Sequence, residues 1–177
     1  DSTFGVNGTR KISSIGPADL TSVYLLDSGK LLCTNGPILM QFDSLGTLDP
    51  TFGNNGILIQ TVPAPLNFYY QSNSVLRSDG KIVSFSGVYT GVANDKYVTQ
   101  ICYNTEGLID STFGVNGFSV DYSFVIGSGA PRLVLQSDDK VIAIRQNNPE
   151  TAILMARYNT DGSLDNTFGT NGYLSIQ

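Results

Sequence analysis

Apolar and polar positions alternate in three stretches of the chain. Ile38, Met40 and Phe42 share one face, as do Thr99, Ile101 and Tyr103, and Leu154, Ala156 and Tyr158. A period of two predicts strands with one buried face, here closed each time by an aromatic. Two shorter runs precede each stretch in register. The first set is Val23-Tyr24-Leu25, Ser74-Val75-Leu76 and Leu133-Val134-Leu135; the second is Leu31-Leu32-Cys33-Thr34, Ile82-Val83-Ser84-Phe85 and Val141-Ile142-Ala143-Ile144. Runs this short and this apolar predict inner strands buried on both faces. Asp27-Ser-Gly-Lys30, Ser78-Asp-Gly-Lys81 and Ser137-Asp-Asp-Lys140 lie between the two sets and predict two-residue hairpin turns. Asp139 stands where the others have glycine, which points to a different turn type in the third hairpin.

A second turn ends each alternating stretch: Asp43-x-x-Gly46, Asn104-x-x-Gly107 and Asn159-x-x-Gly162. There an Asx side chain can bond back to the backbone while glycine takes positive φ. The octet Asp-x-Thr-Phe-Gly-x-Asn-Gly then follows. It occurs four times, starting at Asp1, Asp49, Asp110 and Asp165, with spacings of 48, 61 and 55 residues. A fourth strand is expected after each copy, over Thr9 to Ile15, Ile57 to Val62, Phe118 to Tyr122 and Tyr173 to Ile176. The chain is therefore a single repeat domain, 1–177, with units at about 1–48, 49–109 and 110–164 and a closing motif and strand at 165–177. Each unit holds four antiparallel strands, the size of one propeller blade. The octet reads as a structured corner. Its Asp and Thr make local backbone bonds, its Phe (Phe4, Phe52, Phe113, Phe168) is an apolar plug between neighbouring units, and its Asn-Gly is a tight-turn pair.

With these residues laid out, the sequence resembles the delta-60 repeat family. The pattern is Asp-x-x-Gly-x-Leu-Asp-x-Thr-Phe-Gly-x-x-Gly, a strand, a hairpin centred on Asp-Gly-Lys, and an aromatic-Asn turn, and it covers almost the whole chain. The resemblance implies an all-β fold of β-propeller blades in a bacterial secreted or surface protein, extracellular or at the cell surface, with no assigned activity. Asp139 and the pair Phe42-Asp43 depart from the family pattern without disturbing the strands. Three blades are fewer than the four to eight of a closed ring. A homodimer of six blades, or adjacent blades of a longer array, is expected to complete it. The alternative fold is a β-trefoil, which also has three four-stranded units and closes as a monomer.

Composition narrows the chemistry. The 177 residues are 41% apolar and 14% charged, enough for a core, and no apolar stretch is long enough to span a membrane as a helix. A net charge of −5 with ten scattered Lys and Arg argues against nucleic acid, and no membrane insertion is expected. The chain has no histidine, which removes Ser-His-Asp and Cys-His catalysis and imidazole-ligated metals. Cys33 and Cys102 occupy different repeat positions and do not read as a disulfide pair; Cys33 reads as a small packed residue and Cys102 as partly exposed. Asp1 is not an initiator Met, so the chain reads as a mature product or an excised domain.

No catalytic residue, cofactor or metal site is predicted. Asn159, Asp161, Ser163 and Asp165 are spaced faintly like a calcium loop, but the other units lack the matching ligands and a capped turn is the plain reading. Asp138-Asp139 and the motif Asps are the only carboxylate groupings, and acids that recur at every corner behave as structural groups. The residues that break the repeat are better candidates. The second unit adds Pro63 to Gln71 and Gly87 to Lys96, which bring Phe68, Tyr69, Tyr70 and Tyr89 as candidate ligand-binding aromatics for a protein or glycan. The plain alternative is that Phe68 and Tyr70 cover the core. The expected function is a non-enzymatic interaction or scaffold module. The alternatives are a polysaccharide-cleaving propeller enzyme with carboxylates in its channel, or a structural spacer of a larger surface protein.

Overall fold

The computed structural model describes residues 1–11, 22–35, 37–68, 73–89, 91, 96–125, 131–146 and 151–177. All regular structure among them is β. The strands are β1 (Ser22–Leu25), β2 (Leu31–Asn35), β3 (Ile38–Phe42), β4 (Ile57–Ile59), β5 (Asn67–Phe68), β6 (Asn73–Leu76), β7 (Ile82–Tyr89), β8 (Lys96–Tyr103), β9 (Phe118–Val125), β10 (Arg132–Leu135), β11 (Val141–Gln146), β12 (Ile153–Tyr158) and β13 (Tyr173–Ile176).

They form three separate antiparallel sheets, four strands wide, as in propeller blades: β1-β2-β3-β4, β6-β7-β8-β9 and β10-β11-β12-β13. The short β5 adds a fifth strand to the middle sheet by pairing with the far end of β7, beyond β6. A β-trefoil would pair strands of different units into one barrel, whereas each sheet here pairs within itself. The strand after each motif copy closes the sheet that precedes it: β4, β9 and β13 pair with β3, β8 and β12. Sheets are thus out of phase with units counted from motif to motif. The strand expected over Thr9 to Ile15 lies mostly outside the described residues, and Thr9 itself bridges Val6.

Strand β6 lies against both β1 and β10, so the middle sheet is sandwiched between the other two. One core, around Leu32, Leu39, Phe52, Ile82, Ile101 and Tyr103, fills the junction of the first and middle sheets. The other, around Val83, Phe85, Val98, Cys102, Phe113, Ala143 and Tyr158, fills that of the middle and last sheets. The middle strands are accordingly buried on both faces, as β7 shows along nearly its whole length. The same expectation fails for the first and last sheets. In β1, Val23 and Leu25 are exposed while Ser22 and Tyr24 are half-buried, and β10 alternates likewise, because among the described residues no sheet lies over these outward faces, although Met40 and Phe42 farther along that face of the first sheet are buried. Cys102, expected to be partly exposed, is fully buried for the converse reason. Cys33, on the outward face of the first sheet, is half-buried.

The inner hairpins also correct the turn expectation. In the first, Gly29 N–H donates to the Leu26 carbonyl and Leu26 N–H to that of Lys30, which makes a three-residue loop with a left-handed third position. Gly29 and Gly80 sit there at φ 77° and 78°, and Asp139 keeps the same conformation at 61° with equivalent hydrogen bonds. Non-glycine residues pay for left-handed backbone. The Asp139 carboxylate accepts from the Ser78 N–H (3.0 Å) and hydroxyl, tying its hairpin to that of the middle sheet.

Candidate functional site

The motif builds the same corner four times. One carboxylate oxygen of its Asp accepts from the Thr N–H and hydroxyl two residues on, at 3.0 and 2.7 Å for Asp49, 3.0 and 2.6 Å for Asp110, and 3.0 and 2.7 Å for Asp165. The other oxygen meets the hairpin Lys of the same sheet: Lys30–Asp49 at 2.6 Å, Lys81–Asp110 at 2.8 Å and Lys140–Asp165 at 2.8 Å. Arg157 adds a second cation on Asp165, also at 2.8 Å. Lysine and then the threonine hydroxyl hold the Asp49 and Asp110 carboxyls down at about 2, and Lys140 with Thr167 lowers Asp165 as well. The corner ends in the Asn-Gly turn, where both residues have positive φ, 52° and 89° at Asn55-Gly56, and Asn54 and Ile57 exchange backbone bonds.

Between Asp and Asn-Gly the motif reaches the next sheet. Phe52 of the first sheet lies over Gly107 of the middle sheet, and Phe113 of the middle sheet over Gly162 of the last. A Cβ at those glycines would stand 2.9 and 2.5 Å from the rings. Beside each plug a glycine N–H donates across the junction, Gly53 to the Glu106 carbonyl at 2.8 Å and Gly114 to Asp161 at 2.9 Å. The first copy does the same to the first sheet: Phe4 lies over Gly46 and Gly5 N–H donates to Leu45 at 2.8 Å. Among the described residues the fourth copy meets no further sheet. Phe52 and Phe113 are 0% and 3% exposed, whereas Phe168 is half-buried under the Arg157 guanidinium, 4.8 Å from the ring centre.

Of the aromatics singled out in the sequence, Phe68 pairs with Val88 and Asn67 with Tyr89, so Phe68 and Tyr89 occupy adjacent register positions at one end of the middle sheet. Tyr89 is half-buried. Tyr69 and Tyr70 lie outside the described residues. The same end holds two aromatics that sequence reasoning missed: Tyr97, paired with Val88, packs edge-on against Tyr122 at 4.9 Å between ring centres. Tyr122 lies in a bulge of β9, where the partners of Tyr97 and Val98 are Val125 and Asp121.

Asp121 was missed as well. Its carboxylate takes the Tyr158 hydroxyl at 2.7 Å and the Tyr173 hydroxyl at 2.9 Å, both from the last sheet. Burial, with Asp121 adding to it, pushes the Tyr158 phenol well above its usual range and Tyr173 up to about 12. Arg145 stacks on Phe124 at 4.9 Å, and a cleft of about 490 Å³ opens above them along Leu154, Tyr173 and Leu174. The sequence signal was available: Asp121 is the single charge in an apolar and aromatic strand, Phe118–Val125.

A wider cleft of about 710 Å³ lies between the inner hairpins of the first and middle sheets. Lys30, Arg77, Asp27, Asp79 and Glu106 line it. Arg77 bridges Asp79 at 3.2 Å, and Asn104 donates to Glu106 at 2.8 Å. In the stretch resembling a calcium loop, Asp161 accepts from the Ser163 N–H at 2.9 Å and hydroxyl at 2.6 Å, which closes a turn. Among the described residues no group of three or more acidic or cysteine ligands comes together.

No curated protein and no solved structure matches the chain. Residues 136–168, from the inner hairpin of the last sheet to the plug of the fourth motif copy, match the family model described as a domain of unknown function (DUF5122) beta-propeller. Blade-like sheets and this match agree: the chain is similar to β-propeller repeat proteins.

Proposed function

We propose that the chain is a non-enzymatic interaction or scaffold module of delta-60 type, which presents the far end of its middle sheet to a protein or glycan outside the cell or at its surface. One observation carries this reading. Strands β7, β8 and β9 run for eight residues each, against five, five and three in the first sheet and six, six and four in the last. That end of the sheet carries Tyr89 and Tyr97, both half-buried, and the exposed Tyr122. Aromatic rings give contact area at low entropic cost and stack on sugars and apolar side chains alike. The recurring carboxylates, by contrast, are spent on their corners. Panels of polysaccharides and cell-surface proteins, immobilised and probed with the intact chain, test the reading. A ligand whose binding falls at least tenfold in the double variant Tyr89→Ala, Tyr122→Ala, with an unchanged melting temperature, supports it. Binding indifferent to both rings refutes it.

The wider cleft favours a second reading, a polysaccharide-cleaving enzyme, because it gathers Asp27 of one sheet with Asp79 and Glu106 of the next. Release of new reducing ends that disappears in Asp27→Asn would select it over the scaffold.

A further inference from the structure

The last sheet is built to be covered, and the chain itself shows twice by what. Its outward face carries Val134, Ile153, Leu174 and Ile176, all exposed. The corresponding faces of the first and middle sheets are closed by the sheet that follows, through a Phe over the glycine of an Asx turn and a glycine N–H on that turn's third carbonyl. In the last sheet both devices are present and idle. Phe168 is half-buried, and among the described residues the Gly169 N–H has no backbone acceptor, although Gly169 holds the same left-handed conformation (φ 52°) as Gly53 and Gly114.

A matching receptor exists on the chain. The first sheet has the Asp43–Gly46 turn, with the Leu45 carbonyl and Gly46 placed as Glu106–Gly107 and Asp161–Gly162 are in the others, and its outward face exposes Val23, Leu25 and Ile59 while Met40 and Phe42 on the same face are buried. That turn is filled by Phe4, from the motif copy that precedes the first sheet in the chain.

We propose that the outward face of the last sheet docks on the first sheet of a second copy of this chain, with Phe168 seated over Gly46 and Gly169 bonded to Leu45. The N-terminal motif, residues 1–8, is then a removable plug: Phe4 holds the receptor until the Phe168 of another copy displaces it. Two copies docked reciprocally close six blades, within the range of complete rings. This inference stands apart from the contact surface proposed above, since it involves the opposite flanks of the array and needs no foreign ligand.

Light scattering across protein concentration, from about 1 µM to several hundred µM, tests it. The intact chain should gain mass with concentration. Phe168→Ala should shift that gain to at least tenfold higher concentration, and Phe4→Ala, which removes the internal competitor, should shift it to lower concentration. Ile176→Lys, which puts a charge on an exposed position of the docking face without touching a core, should abolish it. A chain that stays monomeric even as Phe4→Ala overturns the proposal. So does association that Phe168→Ala and Ile176→Lys leave unchanged, or that Phe4→Ala weakens.

Discussion

The same substitution in the same motif should carry different costs at different copies. Phe52→Ala removes a fully buried ring from the junction of the first and middle sheets, where it lies on Gly107. Transfer of a Phe side chain to water is worth about 1.5–3 kcal/mol. The cavity left between two sheets that cannot collapse brings the loss to roughly 3–5 kcal/mol. Phe113→Ala, at 3% exposure, should cost the same. Phe168→Ala forfeits about half of the transfer term and opens no cavity, because solvent already reaches the site. The contact with Arg157 adds about 0.5–1 kcal/mol, for roughly 1.3–2.5 kcal/mol in all. Urea unfolding followed by far-UV circular dichroism, at concentrations low enough to keep the chain monomeric, separates the cases. At about 2–4 °C per kcal/mol for a chain of this length, Phe52→Ala should lower the melting temperature by roughly 6–20 °C. Equal losses at Phe52 and Phe168 would refute the idea that the ring acts only through the sheet it reaches.

Gly162→Ala should be far worse than Gly29→Ala. Both change left-handed glycines, at about 1–2 kcal/mol, but the added methyl at Gly162 also meets the Phe113 ring at 2.5 Å and that at Gly29 meets nothing; thermal melts of the two variants give the comparison. Asp110 is held at about 2, below its value near 3.9 in an unfolded chain, so its stabilisation is complete above about pH 4 and drains away as the pH falls toward 2. The gap in urea midpoint between the chain and Asp110→Asn should therefore be open at pH 6 and closed near pH 2, and a constant gap would contradict the Lys81 pairing. Asp121→Ala leaves the Tyr158 and Tyr173 hydroxyls without their acceptor and should cost roughly 2–4 kcal/mol. The Tyr173 phenol should then titrate below 12, seen by its absorbance near 295 nm in an alkaline titration.

The four strands of each sheet, the turn positions and the plug role of the motif phenylalanine were legible because each follows from local pattern: alternation, Asx and glycine at fixed offsets, one large ring per repeat; the added β5 was not. The phase of the repeat was not. A periodic sequence has no origin, so nothing local says whether Ile57 to Ile59 pairs with the hairpin before the motif or the one after it, and hydrogen bonding to β3 decides. Burial of the outer sheets was hidden for a related reason. Leu25 and Leu76 sit at the same repeat position, yet one is exposed and the other half-buried, because what differs is the neighbouring sheet rather than the residue. At the candidate surface, Tyr89 was visible as an aromatic in an insertion, whereas Tyr97 and Tyr122 meet only through a bulge in β9 that no spacing rule announces.

Because every plug points from a sheet to the one that follows it in the chain, the array has a direction, like overlapping roof tiles laid from one eave. Trimming residues 1–8 strips the seal from a sheet that remains and bares Gly46. Removing the fourth motif takes away a ring that, among the described residues, packs only within its own sheet, together with β13. Damage on the two flanks of the array is thus unequal in kind, since loss of the Phe4 ring opens a joint over Gly46 whereas loss of β13 peels a strand from its ladder.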